Sequence, residues 1–420
     1  MTLPGARPDR RTVLALGASA VAVALTGTPQ ATAAPRPSAT DTTVLAWYDA
    51  TTATLAAAGA ATQITNSRTW AISWLAAARA TRAVPAGVTD RAAFRPAALA
   101  GAVHQALVTL APARTEHLDA TLAQTLAAIP AGTARDLGVA AGRREAGAVL
   151  ADRQGDGLDP ASVNAPYPVP AAAPGVWQPT PPDHAPAVQY GNRLARPFLL
   201  PSPGRFRLPP PPALTSRRYA ADLAEVRAYG ALHSTVRSAR QTETATFWYG
   251  SSLTLSIEPL RVALSRSGQD PAEQALSVAL FHTALVDTQI ATSDSKYVHR
   301  RWRPVTAIRT GVLDPDPAWT PLHTTPAHPD HPSGHNTYSG AAEAVLTARF
   351  GARTAPFTLT SPTAPGVTRT YTAWRQLSDE NVEARILSGI HTRSADEAGI
   401  RLGDRVARYA LDHTEDLLTG

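Results

Sequence analysis

The chain of 420 residues carries 39 Lys and Arg against 33 Asp and Glu, a formal charge of +6, with 44% hydrophobic and 17% charged residues. That mixture supports a sizeable core and small anionic partners, while arginines scattered along the sequence, not gathered in a basic stripe, argue against nucleic acid. Cysteine is absent and Met1 is the one methionine, which excludes disulfides, thiolate catalysis and cysteine-ligated zinc.

Residues 1–34 read as an export signal. Arg7, Arg10 and Arg11 form a positive start, residues 13–25 are apolar and uncharged, and Ala31-Thr32-Ala33 offers a small-residue cleavage site. The apolar run is too short to span a bilayer. The Arg10-Arg11 pair points to the twin-arginine route, which carries folded, cofactor-loaded proteins. No later stretch is long and apolar enough for a span, so the expectation is an exported protein without membrane insertion.

Residues 35–214 make up an N-terminal helical half. Over 41–151, Ala and Leu dominate with helical spacing: Trp70, Trp74 and Leu75 share one face, and Val103, Leu107 and Leu110 another. Pro130 and Gly132 divide two helices. Residues 152–214 are dense in proline, ending in the run 209–212, and lack a period. Trp177, Tyr190, Phe198, Leu199 and Phe206 stand among those prolines, which predicts an irregular segment wrapped on the core and not a free linker.

The C-terminal half, 215–420, resumes helices at Ser216. Asp270-Pro271-Ala272-Glu273 supplies an N-cap, a first-turn proline and a glutamate at N3, and Ser394-Ala395-Asp396-Glu397 is expected to start the last helix similarly. Strands and helices do not alternate. The expected fold class is all-α, with both halves in one continuous domain.

Three stretches carry chemistry. Lys296 is the only lysine in the chain, so a site that needs a compact ammonium is a natural place for it. It lies seven residues before Arg303, whose successor Pro304 is expected to end the helix there and free the guanidinium for a pocket. Two fixed cations near one point are costly unless an anion sits between them. In the second stretch, Ser333 is a natural N-cap and Gly334 permits close backbone approach at a helix N-terminus, a position that favours oxyanions. His335 follows in the first turn, placed for proton exchange. In the third, Arg385 lies on a helix expected to open near Ser378, Gly389 breaks that helix, and His391 occupies the joint before Ser394. His323, His328, His331 and His335 could alternatively form a zinc cluster, but the segment is broken by proline and offers only Asp330 as a supporting carboxylate.

Together these stretches resemble the signature shared by vanadium haloperoxidases and the type 2 phosphatidic acid and bacterial acid phosphatases. That signature is Lys, six residues, Arg-Pro; then Pro-Ser-Gly-His; then Arg, five residues, His. Here it reads Lys296 to Arg303-Pro304, Pro332-Ser333-Gly334-His335, and Arg385 to His391. The family's serine before the third-motif arginine is Ala384. The aspartate that phosphatase members often carry four residues after the final histidine is Ala395, which leans towards the haloperoxidases. RPFLLPSPGRFRLPPPPALTSRRYAADLAEVRAYG, FWYG and DSKYVHRRWRPVTAIR are also similar to soluble bacterial haloperoxidase-like proteins, so the resemblance covers nearly the whole chain after the signal.

The resemblance implies a helical bundle with an anion site at one end. It implies that Lys296, Arg303, Ser333, the Gly334 N–H and Arg385 hydrogen-bond the equatorial oxygens of vanadate, and that His391 bonds the metal. His335 would be the acid–base group when hydrogen peroxide binds, and halide would be oxidised to hypohalous acid that acts on a small organic substrate. His328, seven residues before His335, is similar to a position holding His in bromoperoxidases and Phe in the fungal chloroperoxidase, which implies bromide or iodide. An acidic partner for Arg385 is expected among Glu243, Asp287 and Asp294. Two alternatives remain open: a soluble exported phosphatase with a phosphohistidine at His391, and an inactive oxyanion-binding protein.

Overall fold

The computed structural model describes residues 39–419, so the export signal expected over 1–34 lies outside the described residues. The Ala- and Leu-rich half forms α1 (Ala39–Ala58), α2 (Gln63–Ala80), α3 (Arg91–Leu110), α4 (Thr115–Ala127) and α5 (Thr133–Asp152). Asp90 caps α3 by accepting from the Ala93 N–H at 3.0 Å. Trp70, Trp74 and Leu75 are buried as their spacing predicts, and Tyr48 of α1 packs 4.7 Å from Trp70, ring centre to ring centre. The α4–α5 break falls at Pro130 and Gly132, as expected.

Residues 153–216 contain the short α6 (Pro160–Val163), a 3₁₀ turn at Gly191–Leu194 and otherwise irregular chain. They lie against the core. Trp177 is fully buried, and Asp287 accepts from three consecutive backbone N–H groups, Phe198, Leu199 and Leu200, at 2.6, 2.8 and 2.9 Å. Arg207 holds a second point through Asp294, at 2.7 Å. A proline-rich stretch cannot satisfy its polar backbone by forming a ladder, so acidic side chains of the core do this instead.

The second half continues with α7 (Arg217–Gly230), α8 (Ala239–Phe247), α9 (Ser252–Arg266), α10 (Pro271–His299), α11 (Pro304–Thr310), α12 (Gly334–Phe350), α13 (Trp374–Leu387), α14 (Arg393–Asp412) and α15 (Thr414–Thr419). Asp270 caps α10 through the Ala272 and Glu273 N–H groups, with Pro271 in the first turn, as the sequence predicts. From Pro271 to Tyr297 nearly every residue of α10 is buried, because α2, α12 and α14 surround it.

Between α12 and α13 the chain forms an antiparallel hairpin, β1 (Arg353–Ser361) and β2 (Ala364–Ala373), which is an addition to the expected all-α architecture. Phe357, Leu359 and Tyr371 turn inward from it. Two helix starts also differ from expectation. α13 opens at Trp374 and not near Ser378, because Gln376 accepts from the Thr372 and Ala373 N–H groups as the chain leaves β2. α14 has Thr392 and not Ser394 at its N-cap, with no side-chain cap bond, because the Thr392 hydroxyl donates to Asp330.

α12 and α14 touch backbone to backbone. A Cβ on Gly403 would stand 2.1 Å from the Thr337 carbonyl, one on Gly340 2.3 Å from that of Ile400, and one on Gly399 2.7 Å from that of Ser333. Only glycine permits this approach.

His282, in the middle of α10, stacks on Trp70 at 4.5 Å, and neither ring nitrogen has a hydrogen-bond partner. Burial lowers its pKa from 6.5 to about 3. Unfolded chains bind a proton there near pH 6.5, whereas the folded chain resists it down to about 3. The residue's contribution to stability is therefore complete above pH 6.5 and is lost as pH falls, at about 1.4 kcal/mol per pH unit. His282→Phe, which keeps the stack without the charge, is expected to show a shallower fall of Tm between pH 6.5 and 4. Equal acid slopes in the two proteins would contradict this.

Candidate active site

The expected residues converge from the ends of α10, α12 and α13. α10 stops where Arg300 turns left-handed (φ 51°), its N–H donating to the Lys296 carbonyl at 2.7 Å. A short link then carries Arg303 to the N-cap of α11. Pro304 thus opens a helix and does not close one, since its fixed φ and missing N–H suit the first helical position. Ser333 stands at the N-cap of α12, but its hydroxyl makes no capping bond; Asn336 Nδ2 approaches it at 3.5 Å. The Ser333 N–H donates to the Ala395 carbonyl of α14 at 2.9 Å. Arg385 lies in the last turn of α13, Gly389 turns left-handed (φ 78°), and His391 follows in the joint to α14.

Lys296, Arg303, Ser333, Arg385 and His391 are each at most 1% exposed. Arg303 is the hub. Its Nε donates to the His328 carbonyl at 2.7 Å, Nη2 to His328 Nδ1 at 2.9 Å, and Nη1 to the Ile390 carbonyl at 2.6 Å. Nη1 also lies 3.0 Å from His391 Nε2 and 3.3 Å from Nδ1. Lys296 Nζ donates to the carbonyls of Pro329 at 2.6 Å and Asp330 at 3.2 Å. Arg385 Nη1 reaches the Trp248 carbonyl at 3.3 Å, while its Nε is buried without a hydrogen-bond partner. His335 donates from Nε2 to the Gly250 carbonyl at 2.9 Å, leaving Nδ1 as its proton acceptor.

His328, Gly334, His335, Arg385 and His391 line one cavity of about 150 Å³, which Gln63 and Gln189 also border. A Cβ added to Gly334 would meet nothing nearer than Lys296 Cε, at 4.0 Å, so the backbone there is open to a ligand. Three buried cations, Lys296, Arg303 and Arg385, share the region with two buried carboxylates, Asp330 and Asp396. Burial pushes all five towards their uncharged forms: Arg303 and Arg385 fall to about 10, Lys296 falls well below its ordinary value, and both aspartates rise. Burial, and then the neighbouring cations, hold His335 and His391 well below 6.5, as neutral imidazoles. An oxyanion between the cations would offset their repulsion, and Arg385 Nε is a buried donor left without a partner. The residues fit a tetrahedral oxyanion.

Several expectations need correction. None of the three acids proposed for Arg385 is its partner: Glu243 pairs with Arg369 and Arg240, while Asp287 and Asp294 fasten the proline-rich segment. Among the described residues no acid forms an ion pair with Arg385; Asp396, which accepts from Asn336 at 2.7 Å, acts on its charge only from a distance. Among the described residues, no three His, Cys, Asp or Glu side chains gather as a metal-ion cluster, so the four histidines do not form the zinc alternative. The sequence reading weighed Asp330 only as a supporting carboxylate for zinc, whereas it bonds His391 Nδ1 through Oδ1 at 2.6 Å. Its one signal was an acid inside the Pro-Ser-Gly-His loop, where a solvated carboxylate is commonplace.

No helix among the described residues is long and apolar enough to cross a membrane. Residues 276–420 match a family model described as the VCPO second helical-bundle domain. Three solved structures are similar over most of the chain. A bacterial vanadium-dependent iodoperoxidase superposes with a TM-score of 0.75 at 24% identity, covering 90% of this chain and 97% of the other. Apo-type and holo-type bacterial vanadium-dependent chloroperoxidases give 0.67 and 0.63, both at 16% identity. The apo-type alignment covers 85% of this chain and 95% of the other, the holo-type one 91% and 93%. A search of curated proteins finds no match. Residues 276–420 therefore belong to the vanadium-haloperoxidase family as its second helical-bundle domain, and the chain around them has the fold of those enzymes.

Proposed function

We propose that this protein is a vanadium-dependent haloperoxidase that oxidises bromide or iodide with hydrogen peroxide to hypohalous acid. The observation that carries the reading is the convergence of Arg385, the Gly334 backbone, His335 and His391 on one small cavity, behind which Arg303 bonds two of its lining histidines, His328 and His391, and Lys296 Cε lies near the Gly334 backbone. Lys296, Arg303, Arg385, Ser333 and the Gly334 N–H would hold vanadate, and His391 would bind it through Nε2. The bound group supplies a Lewis-acidic centre that activates peroxide. The chain's own residues do the rest. The cations hold charge on the oxygens, the enclosing walls keep the electrostatics strong, and His335 Nδ1 takes or returns a proton. His328, which accepts from Arg303 and borders the cavity, supports the bromide or iodide preference.

The phosphatase alternative gains from one observation. The carboxylate missing at Ala395 is replaced by Asp330 from another segment, so Ala395 no longer argues against a phosphohistidine at His391. One assay separates the readings. Metal-stripped protein is tested for peroxide-driven bromination of a dye with and without vanadate. Bromination that needs vanadate and is suppressed by phosphate supports the haloperoxidase. Hydrolysis of a phenyl phosphate that vanadate inhibits supports the phosphatase, and tight vanadate binding with neither activity supports an inactive binding protein. The twin-arginine export expected from residues 1–34 is part of the same proposal, tested by whether Arg10→Lys with Arg11→Lys retains the protein inside the cell.

A further inference from the structure

We infer that Asp330 is the positioning residue for His391, fixing the ring tautomer so that the Nε2 lone pair faces the bound oxyanion. The inference rests on the oxyanion-site reading above and holds for either chemistry. His391 and Asp330 are each 1% exposed, and Nδ1 lies 2.6 Å from Oδ1. When ionised, the carboxylate can only accept, so Nδ1 carries the proton and Nε2 is the acceptor nitrogen, 3.0 Å from Arg303 Nη1. Asp330 is itself held on every side. Oδ2 accepts from the Thr392 hydroxyl at 2.7 Å, its backbone N–H donates to the Arg301 carbonyl at 2.9 Å, and its carbonyl accepts from Lys296 Nζ at 3.2 Å. Oδ1 also lies 4.0 Å from Arg303 Nη1, so one carboxylate is braced against two of the groups expected on the anion.

This arrangement suits a ring that must keep one orientation. A histidine on the joint between α13 and α14 has its backbone fixed by Gly389 and Thr392, but its ring can still rotate and change tautomer. A second hydrogen bond to the other nitrogen removes both freedoms, and such partners typically change metal affinity by roughly 10–100-fold when removed. The carboxylate arrives from a loop 61 residues away in sequence. A reading of the histidine's own segment therefore finds only Ala395 at the place where an acid is sought.

The test uses the full chain labelled with ¹⁵N-histidine and freed of vanadate, with His391 assigned by difference from His391→Gln. The nitrogen shifts of the wild type are expected to show Nδ1–H and a bare Nε2. The opposite tautomer would overturn the proposal with no variant needed. Asp330→Ala is expected to lose that signature and to weaken binding of inorganic vanadate by roughly 10–100-fold. Asp330→Asn, which keeps an acceptor, is expected to restore the tautomer and most of the affinity. Unchanged tautomer and affinity in Asp330→Ala overturn the positioning role. A wild type that binds neither vanadate nor phosphate overturns the oxyanion-site reading, and the tautomer result alone then decides the role of Asp330.

Discussion

His391→Ala is expected to bring vanadate-dependent bromide oxidation to background while leaving the helical circular dichroism unchanged. The imidazole lies 3.0 Å from the Arg303 guanidinium, and no other side chain on the α13–α14 joint can replace it. Removing the ring leaves Asp330 with Thr392 and the nearby Arg303, so its charge is not wholly stranded. A stability loss of about 1–3 kcal/mol is expected from the unpaired buried groups. Urea unfolding and a dye-bromination assay on the same preparation check the two halves. A folded variant with full activity would remove His391 from the mechanism.

Gly403→Ala is the second large effect, although the residue lies about three turns into α14. An added methyl would stand 2.1 Å from the Thr337 carbonyl and 2.6 Å from the Ala341 N–H nitrogen, both backbone atoms that cannot rotate away. α14 must move, and overpacking of this kind costs about 1–3 kcal/mol and sometimes more. The displacement has a functional address. α14 supplies the carbonyl of Ala395 that holds the Ser333 N–H, and Asp396, which accepts from Asn336 at 2.7 Å. The variant is expected to melt lower and to bind vanadate more weakly. A control at exposed Gly147, where a Cβ meets nothing, should do neither. Normal vanadate binding in a destabilised Gly403→Ala would mean that the crossing does not shape the site.

Much of this architecture is legible in local pattern. The Trp70–Trp74 face, the Asp270 cap, the α4–α5 break and the helix that starts after Ser333 follow from periodicity and capping chemistry, which act over a few residues. Three features escape for a common reason: their meaning depends on partners far along the chain. The hairpin 353–373 is short and threonine-rich, and becomes a stable element only when Phe357 and Tyr371 find the core. Gly340, Gly399 and Gly403 look like ordinary small residues until α12 and α14 are set side by side. Asp330 and Asp396 are two acids among 33, and only the fold assigns one to His391 and the other to Asn336 beside Ser333. The motif spacing finds the donors of the site, while the carboxylates that brace them are invisible to it.

The cavity's border has an evolutionary consequence. All the charged and imidazole groups come from 296–391, whereas Gln63 and Gln189 come from the opening helices and the proline-rich wrap. The charged wall and part of the neutral wall are thus encoded by separate stretches of gene. Selection can reshape what reaches the anion by altering the early stretches, while the later stretch preserves the reaction, so relatives that share the second bundle are free to diverge in what they admit.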